Sequence, residues 1–261
     1  MLAFFIKKSF FDGWDHIAAL TLVNVGFLVS VLPFLGMGIH GMPLALTLAL
    51  AALAVLLFSC WFAFSAIVTM RYSDYGDFAF EETLPAMRRA LVPGLQLGII
   101  GVAIAVVAGV GLPFYMGQGL FGSLAAGILA WTGIALVIAL QYYLPLRFRL
   151  GGGFFKNLRK SFILFFDNPL FSLFLFAWSL AAMIVSAFLA FLVPGAAGVS
   201  LAQNDALRLK LKKYDWLESR NKGEGRAAGQ RTDIPWKELL AEEEELLGPR
   251  SLKGMIFPWK E

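Results

Sequence analysis

The stretch QYYLPLRFRLGGGFFKNLRKSFILFFDNPL, residues 141–170, joins two long apolar runs and decides the fold. Five basic residues precede its first acid: Arg147, Arg149, Lys156, Arg159 and Lys160. Its apolar residues recur at helical spacing, at Phe154, Phe155, Leu158, Phe162, Phe165 and Phe166. A basic amphipathic helix between apolar runs is typical of a segment on the inner membrane surface. The sequence therefore predicts an integral membrane protein, with these five basic residues as a docking surface for lipid or a protein partner.

The composition divides the chain into two parts. Of the 261 residues, 59% are hydrophobic and only 15% are charged, whereas about 25% of a soluble domain is charged. More than half of the charged residues follow Ser200. The sequence thus predicts a transmembrane helical bundle over residues 1–213 and a cytoplasmic tail over residues 214–261. The net charge of +4 fits basic cytoplasmic loops and gives no reason to expect nucleic-acid binding.

Five apolar runs are long enough to cross about 30 Å of hydrocarbon. The predicted spans are residues 17–35, 44–70, 92–112, 120–146 and 170–193. A sixth span is harder to recognise. Residues 196–202 are apolar, but Gln203, Asn204 and Asp205 follow at once. Hydropathy alone therefore gives five spans.

An internal repeat favours six spans. Three times the chain reads surface helix, span, turn with proline, span, in units that begin near residues 1, 78 and 154. Three such hairpins place both ends of the chain in the cytoplasm, which agrees with the basic residues at both ends. The predicted fold is an all-α polytopic membrane protein of six transmembrane helices, with five as the alternative, in three hairpins that each follow an amphipathic surface helix.

The first two surface helices are defined by apolar faces. In residues 1–15 one face holds Leu2, Ile6, Phe10 and Trp14, and the charged residues Lys7, Lys8, Asp12 and Asp15 lie away from it. In residues 78–91 the apolar positions are Phe80, Leu84, Met87 and Leu91. We expect both helices to lie flat on the inner membrane surface.

Few polar residues fall within the spans. They are Asn24, Gln96, Gln141, Gln203, Asn204 and Asp205. Hydrocarbon offers an amide no hydrogen-bond partner, so pairing with a neighbouring helix is the favoured interpretation. A polar path for a small neutral solute is the alternative, and it would make the protein a transporter or channel.

The tail contains one predicted helix. Asp233 can cap it, Ile234 and Pro235 begin it, and Gly248-Pro249 ends it. Its apolar stripe comprises Trp236, Leu239, Leu240, Leu246 and Leu247, and residues 242–245 are all glutamate. The end of the tail is again apolar. We expect Trp236, Leu240, Phe257 and Trp259 to dock on the protein's own inner face or on a partner.

The residues needed for common enzyme sites are missing. Only two histidines occur, His16 and His40, so no zinc-protease motif or ordinary Ser/His triad is available. The letters GMGIHG, residues 36–41, lack the strand–turn–helix context of a dinucleotide site. The sequence predicts a protein that is not an enzyme and that uses no cofactor or metal.

The order of several short motifs resembles the YesL-like family of bacterial membrane proteins, a domain of unknown function. The resemblance rests on Val23-Asn24, Phe27 and Pro33 in the first span, then on residues 141–147, 156–166 and 168–170, and finally on residues 207–214. It covers roughly residues 5–216. The chain departs from the family pattern at Phe27, where tryptophan is common, in its Gly-rich first turn, and in its long tail after Trp216.

This resemblance implies a role but no catalytic residue. Members of the family are often linked to carbohydrate uptake or degradation systems, especially ABC importers. It therefore implies a non-enzymatic inner-membrane protein that is accessory to a solute uptake system and that works by docking a membrane or cytoplasmic partner.

Overall fold

The computed structural model describes residues 1–36, 42–223 and 234–250, and the secondary structure of these residues is helical without a strand. The helices are α1 (Leu2–Asp15), α2 (Ile17–Ser30), α3 (Leu32–Gly36), α4 (Leu44–Ser73), α5 (Thr83–Val106), α6 (Leu112–Met116), α7 (Gly119–Leu140), α8 (Tyr143–Leu150), α9 (Phe154–Asp167), α10 (Pro169–Phe188), α11 (Gly195–Gly223) and α12 (Trp236–Leu247). The all-α prediction is confirmed over this part of the chain.

Five helical stretches of the described chain are long and apolar enough to cross a membrane. They are Ile17–Phe34, Leu44–Ser73, Phe80–Met116, Gly119–Leu140 and Pro169–Phe188. Much of their surface is apolar and exposed, as is expected of helices that face lipid. The chain is therefore a multi-pass membrane protein. Helix α11 is outside this set because its sequence becomes polar at Gln203.

The second predicted surface helix and the third span form one continuous helical stretch, whereas the sequence predicts two separate helices. Residues 80–116 continue from a short 3-10 turn through α5 and a π-helical turn into α6. Pro93 lies inside α5 without ending it. A single proline is tolerated in a membrane helix because neighbouring groups satisfy the freed carbonyl. The amphipathic pattern of residues 78–91 therefore marks the first turns of a long helix.

Helices α4 and α5 pack closely through small residues. A Cβ atom added at Gly94 would lie 2.5 Å from Cα of Cys60, and one at Gly98 would lie 2.9 Å from Cδ2 of Leu56. The small-residue motif of the third span thus serves contact within the chain. The fourth span also differs from its predicted bounds, because α7 ends at Leu140 and a turn at residues 141–142 precedes α8.

Helix α11 lies inside the bundle, where it packs against α1, α2, α4 and α10. It runs antiparallel to α10. At its start the amide of Gly195 donates to Oγ of Ser186 (2.7 Å), and 15 residues later Nζ of Lys210 donates to Oδ1 of Asn168 (2.8 Å). At about 1.5 Å per residue this overlap is roughly 22 Å long. Because residues 195–210 of α11 are enclosed, the polar residues among them meet protein and not lipid.

Asn24 of α2 holds the start of α11 in place. Its amide nitrogen donates to the carbonyl oxygens of Leu192 and Pro194 (both 2.8 Å), and its Oδ1 accepts from the amide of Ala197 (2.9 Å). Gly195 has φ +62°, and an added Cβ would lie 2.2 Å from the Asn24 amide nitrogen. A glycine is required at this position, since the side chain of Asn24 fills the space beside it.

Candidate functional site: a buried charge cluster at one end of the bundle

Five charged side chains from three helices meet at one end of the bundle, and we call them the buried charge cluster. They are Lys8 and Asp12 of α1, Asp205 and Arg208 of α11, and Glu243 of α12. Lys8, Asp205 and Glu243 are fully buried, and Asp12 is 4% exposed. Buried charges are costly unless they are paired, so this cluster is the most demanding polar feature of the described fold.

Lys8 is the centre of the cluster. Its Nζ donates to Oδ2 of Asp12 (2.7 Å) and to the carbonyl oxygen of Ser73 (3.0 Å). The same ammonium lies 3.6 Å from the ring centroid of Tyr75, 3.9 Å from Oδ1 of Asp205 and 4.0 Å from Oε2 of Glu243. One cation thus joins α1, the end of α4, α11 and α12.

Glu243 brings the tail helix into the cluster. Its Oε1 accepts from Nε of Arg208 (2.8 Å) and pairs with Nζ of Lys212 (3.0 Å), and its Oε2 accepts from the hydroxyl of Tyr75 (2.9 Å). Burial alone would raise the pKa of Glu243, but the hydrogen bonds from Arg208 and Lys212 outweigh it and lower that pKa below its usual value. Glu243 is therefore a docked carboxylate.

Asp74, just after α4, ties the cluster to α8. Its carboxylate pairs with Arg208 and with Nη1 of Arg149 (2.9 Å). Nη2 of Arg149 also donates to Oγ of Ser73 (3.3 Å). Arg149, which the sequence placed in the docking surface, is therefore a bracing residue with 13% of its side chain exposed.

Asp205 is the member of the buried charge cluster whose carboxylate lacks hydrogen bonds. Neither of its carboxylate oxygens has a hydrogen-bond partner within the described residues, and its nearest cation is Lys8 at 3.9 Å. Asp12 shares that cation. Burial raises the pKa of Asp12, against the opposing attraction of the Lys8 ammonium. Two buried carboxylates thus depend on one ammonium group, and the chemistry open to this site is proton binding or electrostatic bracing.

Four of the six predicted intramembrane polar residues, Asn24, Gln96, Gln141 and Asn204, are hydrogen-bonded, and they lie apart from one another. Gln96 accepts from the hydroxyl of Tyr143 (2.7 Å), and Nε2 of Gln141 donates to the carbonyl oxygen of Ser172 (2.9 Å). Nδ2 of Asn204 donates to Oγ1 of Thr69 in α4 (3.0 Å). Gln203 is buried in α11. Asn24, Gln96, Gln141 and Asn204 connect different helix pairs and do not line one path, whereas Asp205 alone joins the buried charge cluster.

Helix α9 presents its aromatic side outward. Phe155 is 80% exposed and Phe166 is 67% exposed, while Asn157, Ser161 and Leu164 are buried. The helix packs against α7 and α8. Of the remaining predicted docking residues, Lys156 and Arg159 are exposed, and Lys160 and Arg147 are half-buried. The docking surface is thus reduced to α9 and Arg147.

Helix α12 docks on the chain itself. Leu240 and Leu247 are each 3% exposed, and Trp236 is half-buried. Nζ of Lys7 donates to the carbonyl oxygen of Gly248 (3.4 Å). The helix begins at Trp236, two residues later than predicted. Phe257 and Trp259 lie outside the described residues, as do Asp233 and His40.

Sequence reasoning missed most of the buried charge cluster. The sequence places Lys8 and Asp12 away from the apolar face of α1 and gives Glu243 only as one of four successive glutamates. In the structure Leu2 (45%), Phe10 (37%) and Trp14 (52%) of that apolar face are exposed, whereas Lys8 and Asp12 are buried within the protein. The i, i+4 spacing of Lys8 and Asp12 was the only local pattern that pointed to their pairing.

The described residues define a helical, multi-pass membrane protein with a buried charge cluster at one end of its helix bundle. Comparison with protein-family models, with curated proteins and with solved structures finds no match. Within the residues that the structure describes, no group of three or more His, Cys, Asp or Glu side chains could hold a metal ion.

We predict that substitution of Lys8 destabilises the protein strongly, whereas substitution of Asp205 changes its stability little. Lys8→Met leaves both Asp12 and Asp205 buried without their ammonium, and should cost about 3–5 kcal/mol of stability. Asp205→Asn removes a carboxylate that lacks hydrogen bonds and should change stability by less than about 1 kcal/mol. Thermal unfolding of both variants in detergent measures this. An Asp205→Asn protein as unstable as Lys8→Met would contradict the geometry.

We predict that Glu243 holds α12 in place and that acid releases it. The docked pKa of Glu243 lies below its usual 4.5, so the docking it contributes is fully present above that value and is lost as pH falls through the docked pKa. A nitroxide on Leu246→Cys, in a Cys60→Ser background, should therefore become mobile only at a pH below about 4.5.

The same spin label distinguishes the contribution of buried Glu243 to α12 docking from that of exposed Glu242. Glu243→Gln should free the label at neutral pH, whereas the matched control Glu242→Gln should not, because Glu242 is 77% exposed and an exposed ion pair contributes about 1 kcal/mol or less. Equal mobility in the two variants would show that Glu243 has no special role.

Proposed function

We propose that the chain is a non-enzymatic protein of the cell (inner) membrane that docks a membrane or cytoplasmic partner through the end of the bundle formed by α1, α9 and α12. In this proposal it crosses the membrane six times, as three hairpins, with α1 and α12 both cytoplasmic. The resemblance to the YesL-like family implies which partner this is, namely an ABC-type uptake system for carbohydrates or other solutes.

The outward side of α9 is the observation that carries the proposal. Asn157, Ser161 and Leu164 are buried, so this side of the helix faces the bundle, while Phe155 and Phe166 project outward beside exposed Lys156 and Arg159. Aromatic and arginine side chains are enriched where proteins meet. Basic residues also favour anionic lipid headgroups. A rigid helix with both features suits a docking surface at the membrane boundary.

Two sets of contacts support six crossings. Helix α11 runs back along α10 from Ser186 to Asn168. Helices α1 and α12 also touch, since the guanidinium of Arg250, just after α12, pairs with Asp15 at 2.6 Å. Both ends therefore meet at one end of the bundle, as an even number of crossings requires. The basic residues there favour the cytoplasmic side.

A transporter or channel for a small neutral solute is the second candidate. Ionisable residues buried in a membrane bundle often mark transport paths, and the buried charge cluster is the observation that favours this reading. The pairing of Gln96, Gln141 and Asn204 with different helices weighs against it, because a path needs polar groups that converge. Solute flux into vesicles that contain only this protein would favour transport over docking.

We predict that a cysteine at position 246, in the Cys60→Ser background, is labelled by an impermeant maleimide only after whole cells are permeabilised. Leu246 is 54% exposed on α12, so the reagent can reach it once it enters the cytoplasm. Labelling in intact cells would place α12 outside and would overturn the arrangement with α1 and α12 both cytoplasmic.

We predict that Lys156→Glu with Arg159→Glu abolishes crosslinking of the chain to its partner in native membranes. Charge reversal removes the attraction and introduces repulsion at the centre of the surface. Arg88→Glu, on the exposed side of α5, is the matched control and should leave the crosslinks intact. If the α9 variant retains every crosslink seen with the parent chain, docking through α9 is wrong.

A further inference from the structure

An apolar groove of about 430 Å³ lies between α1 and α2 on one side and α10 with the start of α11 on the other. Leu20 and Leu201 form its deep wall and are buried. Small residues keep it open, since Gly13, Ala181, Ala182 and Gly198 all line it. A gap of this size would forfeit many dispersion contacts if it stayed empty.

The mouth of the groove is apolar and exposed. Phe10 is 37% exposed, Trp14 and Val185 are each 52% exposed, and Leu189 is 50% exposed. Val185 and Leu189 belong to or adjoin α10, a helix that can cross a membrane. A mouth with this rim on a spanning helix opens into hydrocarbon, so what reaches it is the lipid of the bilayer and not water.

The length and lining of the groove suit an acyl chain. Along α10 the lining runs from Trp178 to Leu189, which at 1.5 Å per residue is roughly 16 Å, about the hydrocarbon depth of one leaflet. The side chains along this length are almost all apolar, as the contact surface of a hydrocarbon chain requires.

The polar groups of the groove lie at one end. Ser9 and the indole of Trp14 belong to α1, whereas the far end is formed by Leu189, Val193 and Pro194. Beyond Trp14 the surface becomes charged, with the Asp15–Arg250 pair. Tryptophan is enriched at the boundary between headgroups and hydrocarbon. An occupant with one polar end would therefore place that end at α1.

We propose that this groove binds one acyl chain of a phospholipid from the leaflet on the α1 side, with the headgroup beside Trp14 and the end of the chain near Pro194. The lipid then completes the packing between α1, α2, α10 and α11. The site is separate from the outward face of α9, so the lipid site can hold or fail independently of the proposed docking function.

Photolabelling tests this site. The full chain is reconstituted in phosphatidylcholine vesicles that contain a trace of phosphatidylcholine with a diazirine in one acyl chain, and the labelled residues are mapped by mass spectrometry. Labelling should concentrate on the groove residues of α10 and of residues 192–201. Ala182→Trp fills the groove and should lower that labelling by about tenfold, a loss equivalent to 1.4 kcal/mol of binding.

Ala177→Trp is the matched control, since Ala177 is exposed on the same helix but does not line the groove. It should leave groove labelling at the parent level. Labelling spread evenly over the exposed faces of all spans, or unchanged by Ala182→Trp, would mean only passing contact with bulk lipid and would overturn the proposal. Because Ala182→Trp could disturb folding, bound phospholipid is also counted on the purified parent chain, where the proposal requires at least one per protein.

Discussion

The burial of polar α11 is the constraint on which the remaining structure depends. Hydrocarbon provides no hydrogen-bond partners, so a helix with this sequence can lie at membrane depth only if other helices satisfy it. Asn24 holds its first turn, Thr69 meets Asn204 in its middle, and Lys8 meets Asp205 further along. The positions of α2 and α4 follow from this requirement, because each of them supplies a hydrogen-bond partner to α11.

The membrane boundary explains why the exposed sides of α1 and α9 are apolar. An amphipathic pattern states that one side of a helix is apolar, but it does not state which side faces the protein. In a soluble domain the apolar side turns inward. At a membrane boundary the exterior is apolar, so Phe10 and Phe155 point out while Lys8 and Asn157 point in. The pattern was read correctly for both helices, yet the burial of Lys8 could not be read from it.

The sequence predicts those parts of the fold that depend on local patterns of hydropathy and repetition. Hydropathy predicted the five spans but missed the early start of the third at Phe80 and the end of the fourth at Leu140, and the repeat indicated that residues after Pro194 run back along the preceding helix. The buried charge cluster was not predictable in this way. Lys8 and Glu243 are joined across 235 positions, and nothing in the run of four glutamates distinguishes Glu243 from Glu242, although one is buried and the other is 77% exposed. Only the docking angle of α12 makes that distinction.

The position of Glu243 also links the tail to the bundle energetically. With α12 docked, the carboxylate of Glu243 pairs with Arg208 and Lys212 and lies 4.0 Å from Nζ of Lys8. Without α12, these three cations lose that carboxylate and the hydroxyl of Tyr75 loses its acceptor. Side chains within one charged network do not contribute independently. A partner that displaced α12 would therefore alter the electrostatics around α11, and by the same linkage a change at Arg208 or Lys212 would alter the affinity of the bundle for α12.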